Sequence, residues 1–133
     1  MDEQWPGDWL RGVLSLCVLA VVAEGRTYGY AVAQRLQEAG LGTIKGGTLY
    51  PVLTRLEHDG LVTSSWREGD GGPGRKYFAL TASGRSTLDE RAAAWFVFTD
   101  RAARLLHPDR PALSEEPAAA ADAPAPTDGR VTT

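Results

Sequence analysis

Glycines at positions 25, 40 and 60 divide the first sixty residues into three short segments, and this spacing constrains the fold more than any other feature. Each glycine follows a stretch whose apolar residues recur at helical spacing, and glycine is the residue that most often ends a helix. After position 60 the pattern changes to strand-forming residues. The chain is therefore expected to contain three short helices followed by a small β element.

The helix boundaries follow from local signals. The first helix is expected to contain the apolar run 13–23. Thr27 is predicted to cap a second helix over residues 28–39, with Tyr28 on its apolar face. Thr48 is predicted to cap a third helix, with Pro51 in its first turn, where the missing N–H costs little.

Residues 61–66 and 77–80 are rich in strand formers and predict a hairpin. The connection between them is rich in glycine and ends in two cations, Arg75 and Lys76. We expect it to be a long loop that projects from the body of the domain.

A long last helix is predicted from Thr81 or Ser83 to about residue 106. Apolar residues recur along it at spacings of four and three, with one polar position, in a seam typical of helix association: Leu88, Ala92, Trp95, Thr99, Ala102 and Leu106. Further aromatic residues lie off this seam, so the helix is apolar on more than one face. A second copy of the chain would use that surface.

Three regions are expected. Residues 1–84 form a helix-turn-helix with a wing, and residues 85–108 form a dimerisation helix. Residues 109–133 form a disordered, acidic tail that is rich in proline and alanine. The fold class is thus mainly α with a small β hairpin, a winged helix-turn-helix followed by a long C-terminal helix.

Composition excludes several functions. One cysteine, Cys17, and two histidines leave no disulfide and no metal site, and no cofactor is indicated. No set of nucleophile and base is recognisable, so we do not expect an enzyme. The apolar run 13–23 is much shorter than the roughly 20 residues that span a bilayer, so neither a membrane protein nor a secreted one is expected.

The formal charge is −3, but residues 26–85 hold eight basic and five acidic side chains, which is compatible with DNA binding.

The third helix has the pattern of a helix that enters the major groove, with one apolar face and one polar face. Its leucines would turn inward and leave hydroxyl and cationic groups outside. Basic residues before the helix and on the wing would flank it as phosphate ligands. The candidate DNA-binding residues are Tyr28, Lys45, Thr48, Tyr50, Pro51, Thr54, Arg55, Arg75 and Lys76.

These residues also resemble the PadR family of bacterial transcriptional regulators. The matching elements are Leu10-Arg11-Gly12 before the first helix, Tyr28-Gly29-Tyr30, Gly47-Thr48-Leu49-Tyr50-Pro51-Val52-Leu53 with Arg55-Leu56-Glu57, Asp59-Gly60-Leu61, and Gly74-Arg75-Lys76-Tyr77-Phe78-Ala79-Leu80-Thr81 with Gly84. The short C-terminal part is similar to the branch with a small dimerisation helix, which includes multidrug-sensing members.

The resemblance implies a cytoplasmic homodimer that binds a palindromic operator on double-stranded DNA, acts as a repressor and is released by a flat aromatic molecule. The ligand would stack on Trp95, and Trp9 could close the pocket. The implied interface comprises Leu10, Leu14, Leu88, Ala92, Trp95, Thr99, Ala102 and Leu106.

Alternatives remain at this point. Tyr50 could pack inside the protein instead of facing DNA, and Trp95 could be plain interface packing. A winged helix could bind protein instead of DNA, or the dimer could chiefly bind a ligand. Neither of these functions needs the cations Lys45, Arg55, Arg75 and Lys76 around a polar helix.

Overall fold

The computed structural model describes residues 5–69 and 72–109. The elements along this part of the chain are α1 (Gly7–Ala23), β1 (Thr27–Tyr28), α2 (Gly29–Glu38), α3 (Gly46–His58), β2 (Val62–Gly69), β3 (Gly72–Leu80) and α4 (Ala82–Leu106). The predicted fold class, mainly helical with a small β element and a long last helix, is confirmed. The chain divides into two compact units, Met1–Leu88 and Asp89–Thr133.

The first helix is longer than the apolar run that predicted it. α1 begins at Gly7, six residues before Val13, so the Leu10-Arg11-Gly12 element lies inside the helix and not ahead of it. Leu14, Val18 and Val22 repeat every four residues and form its buried face. The polar first turns are exposed, which is why apolar content alone did not reveal them.

Both helices of the helix-turn-helix end as predicted, at glycines. Gly40 and Gly60 have positive φ angles of 89° and 78°. In each case the glycine N–H and the following N–H bond back to the last turn, for example Gly60 N to Glu57 O and Leu61 N to Leu56 O. This is the Schellman arrangement, in which a left-handed residue satisfies the last carbonyls of the helix.

The sheet has one strand more than predicted. β1 pairs with β3 in antiparallel register, Thr27 opposite Phe78 and Tyr28 opposite Tyr77, and the strand order is β1-β3-β2. The predicted N-cap of α2 at Thr27 is therefore wrong. The N-cap residue is Tyr28, and it makes no side-chain cap bond because the chain arrives as an extended strand.

The wing is also more regular than predicted. β2 continues to Gly69 and β3 begins at Gly72, so the long loop expected between residues 68 and 76 is wrong. Cross-strand pairing runs from Val62 opposite Leu80 to Gly69 opposite Gly72, with an irregularity between Arg67 and Gly69. Backbone pairing along the hairpin overrides the weak strand preference of glycine.

Helices and sheet share one core in the first unit. It includes Leu53 and Val32, both 0% exposed, and Phe78 at 2%. The start of α4 is held by Thr81, which was one of the two residues predicted to cap it. The Thr81 hydroxyl accepts the Gly84 N–H at 2.9 Å and donates to the Gly60 carbonyl at 2.7 Å. The first turn of α4 is thereby attached to the end of α3.

In the second unit, the rest of α4 exposes a large apolar surface. Phe96 is 69% exposed, Phe98 63% and Leu106 84%. The ring centroids of Trp95 and Phe98 lie 5.8 Å apart. The predicted acidic tail, apart from Asp109, lies outside the described residues.

Candidate nucleic-acid interface

The outer face of α3 brings together four of the nine residues predicted to contact DNA. Leu49, Leu53 and Leu56 are buried against the core. The opposite face carries a shallow groove lined by Tyr50, Pro51, Thr54, Arg55 and His58. An aromatic ring, hydroxyls and a guanidinium thus lie side by side on an exposed helix face, and these groups can contact base edges and phosphates.

The N-terminus of α3 differs from the prediction. Lys45 is the N-cap residue, and its carbonyl accepts the Thr48 and Leu49 N–H groups at 2.9 Å. Thr48 lies within the first turn and is not the cap, although its side chain is exposed. Pro51 lies inside the helix, past the first turn where it was expected. Its missing N–H leaves the carbonyl of exposed Gly47 to water, which makes the proline tolerable there.

Tyr50 is both packed and exposed. Its ring lies so close to Gly29, at the start of α2, that a methyl group at position 29 would collide with it. A methyl group on Gly46 would also touch the ring, at 3.5 Å. Tyr50 nevertheless stays 50% exposed, so the packing orients the ring without hiding it.

Arg55 is the arginine of α3, and its side chain is only weakly held. Its Nε lies 3.5 Å from Asp59 Oδ2, one turn further on, but the Arg55 side chain is 76% exposed. Exposed pairs of this kind contribute little, about 0.3–0.5 kcal/mol, and can be broken by a stronger partner. Lys45 is exposed at the other end of the helix. A duplex lying along this face could therefore recruit both cations.

The two predicted wing cations have different environments. The Arg75 guanidinium carbon lies 4.5 Å from the centre of the Tyr28 ring, and Tyr28 meets Tyr77 edge-on at 5.4 Å. Arg75 is exposed above this pair. Cation–π stacking leaves the N–H groups of an arginine available to an anion, so Arg75 fits the predicted phosphate contact.

Lys76 points to the other face of the sheet, toward α3. Its Nζ lies 3.6 Å from Glu57 Oε1 and 5.7 Å from the Phe78 ring centre. The Ser64 hydroxyl donates to Glu57 Oε2 at 2.6 Å. Glu57 thus connects α3 to both long strands, and Lys76 contributes to the attachment of the wing.

Sequence reasoning missed Arg67. It lies directly opposite Arg75 in the hairpin register and is exposed. The dipeptide Asp70-Gly71, which commonly marks a two-residue hairpin connection, could have revealed this pairing. Counting residues outward from that dipeptide along both strands places Arg67 near Arg75 and Lys76 of the opposite strand.

The residues predicted for association and ligand binding fall in both units. In the first, Leu14 is 4% exposed and Leu88 9%, and both belong to the core of their own chain. They are therefore less available to a second copy than the predicted interface assumed. In the second unit, Ala92, Trp95, Thr99 and Ala102 are half-buried, and the Thr99 hydroxyl donates to the Trp95 carbonyl at 3.0 Å.

The tryptophans near the N-terminus form their own cluster. Trp5 stacks on Trp9 with ring centres 6.4 Å apart, and Trp5 Nε1 donates to the Gly40 carbonyl at 2.9 Å. Trp9 is 63% exposed and Leu10 half-buried. The stack links the start of α1 to the end of α2 and leaves the Trp9 ring accessible.

Three further observations concern the described residues only. No helix there is both long and apolar enough to cross a membrane. Within residues 5–69 and 72–109, no three histidine, cysteine or acidic side chains lie together as metal ligands would. Partial burial raises the pKa of the Cys17 thiol, which keeps it protonated.

The three helices, the hairpin and the polar outer face of α3 define a winged helix-turn-helix protein. Residues 18–90, more than half of the chain, match the family described as the transcriptional regulator PadR-like family. The chain belongs to this family, whose members are transcriptional regulators and not enzymes.

Individual relatives agree with this. The transcriptional regulator Rv3488 of Mycobacterium tuberculosis is 39% identical over 83 residues, which cover 62% of this chain and 76% of that protein. A PadR family transcriptional regulator from Eggerthella lenta matches with a TM-score of 0.68 at 38% identity, covering 75% of this chain and 87% of that one. Bacillus subtilis PadR in complex with operator DNA has a TM-score of 0.56 at 24% identity, covering 60% and 45% of the two chains, and shows the fold alone.

Proposed function

We propose that this protein is a DNA-binding transcriptional regulator that recognises its operator through α3 and the wing. The observation that carries the proposal is the exposed face of α3, where Tyr50, Thr54 and Arg55 lie side by side on a helix anchored by buried leucines. Side chains of this chemistry, on a rigid helix, can reach base edges in a major groove.

The charge distribution supports the same partner. The net charge of residues 26–85 is positive within an acidic chain, and Lys45, Arg55 and Arg75 are exposed there. Cations on the helix and the wing would contact phosphates on either side of the groove. One protein of this fold, Bacillus subtilis PadR, has been solved with operator DNA. A winged helix that binds protein does not need these exposed cations, so this alternative function is not favoured.

We further propose a homodimeric repressor that acts in the cytoplasm, where the operator is. Residues 1–84 would bind DNA, and residues 85–108 would associate with a second copy. The apolar surface of α4 supports this assembly: along the seam Ala92, Trp95, Thr99 and Ala102 are half-buried and Leu106 is exposed, and Phe96 and Phe98 beside the seam are exposed. Because the Thr99 hydroxyl is satisfied by its own helix, the polar position of the seam can be buried at little cost. A two-fold dimer would match a palindromic operator.

The dimer seam has a matched test. Ala92→Arg places a charge on the seam, whereas Ala93→Arg places the same charge on the exposed opposite side of α4. In analytical ultracentrifugation we expect Ala92→Arg to sediment as a monomer and Ala93→Arg to remain a dimer. A dimer for both variants would contradict the proposed seam.

Release by a flat aromatic molecule is the remaining part of the proposal, including the similarity to multidrug-sensing members. Trp95 is half-buried beside Phe98 and offers a stacking surface, and Trp9 offers a second, separate exposed ring. A flat aromatic dye that does not bind duplex DNA should quench tryptophan fluorescence in the wild type and release DNA. Trp95→Ala should abolish this response and Trp95→Phe should retain part of it. An unchanged response in Trp95→Ala would exclude Trp95 as the platform.

The DNA-binding proposal is tested with Arg55→Ala against a control of equal charge change, Arg11→Ala, at an exposed position of α1. We expect Arg55→Ala to weaken operator binding by about 1–3 kcal/mol, measured by fluorescence anisotropy. Arg11→Ala should leave operator affinity unchanged. Equal effects of the two substitutions would indicate that only overall charge matters, and the exposed face of α3 would lose its assigned role.

A further inference from the structure

Two arginines face each other on the wing. Arg67 of β2 and Arg75 of β3 are direct cross-strand partners. Side chains of such partners project from the same face of a sheet with Cβ atoms about 4.5–5.5 Å apart. Both side chains are exposed. The chain therefore holds two positive charges next to each other on the face of the sheet that points away from Lys76.

Nothing in the described part of the chain neutralises this pair. No carboxylate there comes within 4 Å of either guanidinium, and Glu68, next to Arg67 in the sequence, forms no ion pair with them. Like charges at directly opposed strand positions are destabilising. A fold that keeps such a pair has a ready position for an anion between the two side chains.

The surroundings hold the pair in place. Arg75 stacks on the Tyr28 ring, which is itself fixed edge-on by Tyr77. A methyl group on Gly74 would come within 3.1 Å of the Arg67 carbonyl oxygen, so the glycine allows the two strands to pack closely at this point. The guanidinium groups of Arg67 and Arg75 therefore extend from two strands whose backbones pack closely together.

We propose that Arg67 and Arg75 together bind one phosphodiester group of the DNA backbone. A guanidinium offers several N–H donors in a planar fork, and two forks facing each other can share the oxygens of a single phosphate. Lys76, engaged by Glu57 on the other face, is not part of this site. The inference rests on the proposed DNA-binding function and assigns Arg67 a role in it.

The pair can be tested without DNA. Arg67→Gln relieves the repulsion, so in chloride buffer its melting temperature should rise by about 1–5 °C. Inorganic phosphate at matched ionic strength should raise the melting temperature of the wild type more than that of Arg67→Gln. Arg11→Gln, a cation outside the wing, should respond to phosphate as the wild type does. An equal phosphate response in the wild type and Arg67→Gln would overturn the anion site.

The second test counts phosphates on DNA. Arg67→Gln and Arg75→Gln should each weaken binding, by the same factor for the operator and the scrambled duplex, while the salt slope stays close to the wild-type value because the remaining arginine still neutralises the shared phosphate. The double variant leaves the shared phosphate without a cation, so its salt slope should fall by about 1. A loss of about 2 in the double variant would mean two separate contacts and would refute the shared site.

The outcomes separate the two claims. Wild-type affinity of Arg67→Gln for both duplexes, with binding still sensitive to Arg55→Ala, would overturn this inference and leave the proposed function intact. If the wild-type protein binds no duplex, the proposed function fails, and the phosphate dependence of the melting temperature decides whether the arginine pair binds anions at all.

Discussion

Substituting Gly84 by alanine should destabilise the fold even though alanine is the better helix former. Gly84 lies in the first turn of α4 and is buried. An added Cβ would collide with the Leu61 carbonyl oxygen and lie 2.7 Å from Leu80 Cδ1. The Leu61 carbonyl also accepts the Thr81 N–H at 3.1 Å, so it is not free to move aside.

The magnitude follows from opposing contributions. Replacing glycine by alanine in a helix gains about 1 kcal/mol. Overpacking against a fixed backbone costs about 1–3 kcal/mol. Displacing the first turn would also break the 2.9 Å bond from the Gly84 N–H to Thr81, a cap interaction contributing about 1 kcal/mol. We therefore expect Gly84→Ala to lower the free energy of unfolding by about 1–3 kcal/mol.

Gly12 provides the control. It lies inside α1 and is exposed, and an alanine Cβ at this position would meet no atom within 4 Å outside its own stretch of helix. Gly12→Ala should raise the free energy of unfolding by about 0.5–1 kcal/mol. Urea unfolding followed by circular dichroism, at equal protein concentrations, measures both variants. If Gly84→Ala is as stable as Gly12→Ala, the close packing of α4 on the turn after α3 is refuted.

Three further predictions concern single side chains. Glu57→Ala removes the acceptor of the 2.6 Å bond from Ser64 and should cost about 1–3 kcal/mol in urea unfolding, with Glu57→Gln closer to the wild type because it keeps an acceptor oxygen; equal losses would show that the Ser64 bond is not the source of the stabilisation. Thr81→Ala should lower the free energy of unfolding by about 1 kcal/mol while Thr81→Ser is nearly neutral, and a similar loss in both would argue against the cap. Because burial raises the pKa of the Cys17 thiol, iodoacetamide should label it slowly at pH 7.5 in the folded protein and much faster in urea; equal rates would contradict its burial.

The parts of the fold that depend on local chemistry were predictable from the sequence. Gly40 and Gly60 end their helices because the last carbonyls need a residue at positive φ, and this requirement involves only neighbouring residues. Thr81 begins α4 for a similar reason, since its hydroxyl bonds to an N–H three residues ahead. The buried leucines of α3 follow directly from helical spacing.

The features that the sequence did not reveal depend on distant partners. Thr27 and Tyr28 are extended because they pair with Phe78 and Tyr77, about fifty residues further on. The length of the wing depends on pairing between glycine-containing strands whose own preference is weak. The different contacts of Arg75 and Lys76, adjacent in the sequence, appear only when strand alternation places them on opposite faces.

The central claim is that α3 and the wing recognise a particular DNA sequence, and a binding titration tests it most directly. The full chain would be titrated by fluorescence anisotropy against a labelled duplex from upstream of its own gene and against a scrambled duplex, at several salt concentrations. We expect the upstream duplex to bind at least about a thousandfold more tightly, with an affinity that falls steeply as salt rises. Equally weak binding to both duplexes, with dissociation constants of about 10⁻⁴–10⁻⁶ M, would contradict the claim.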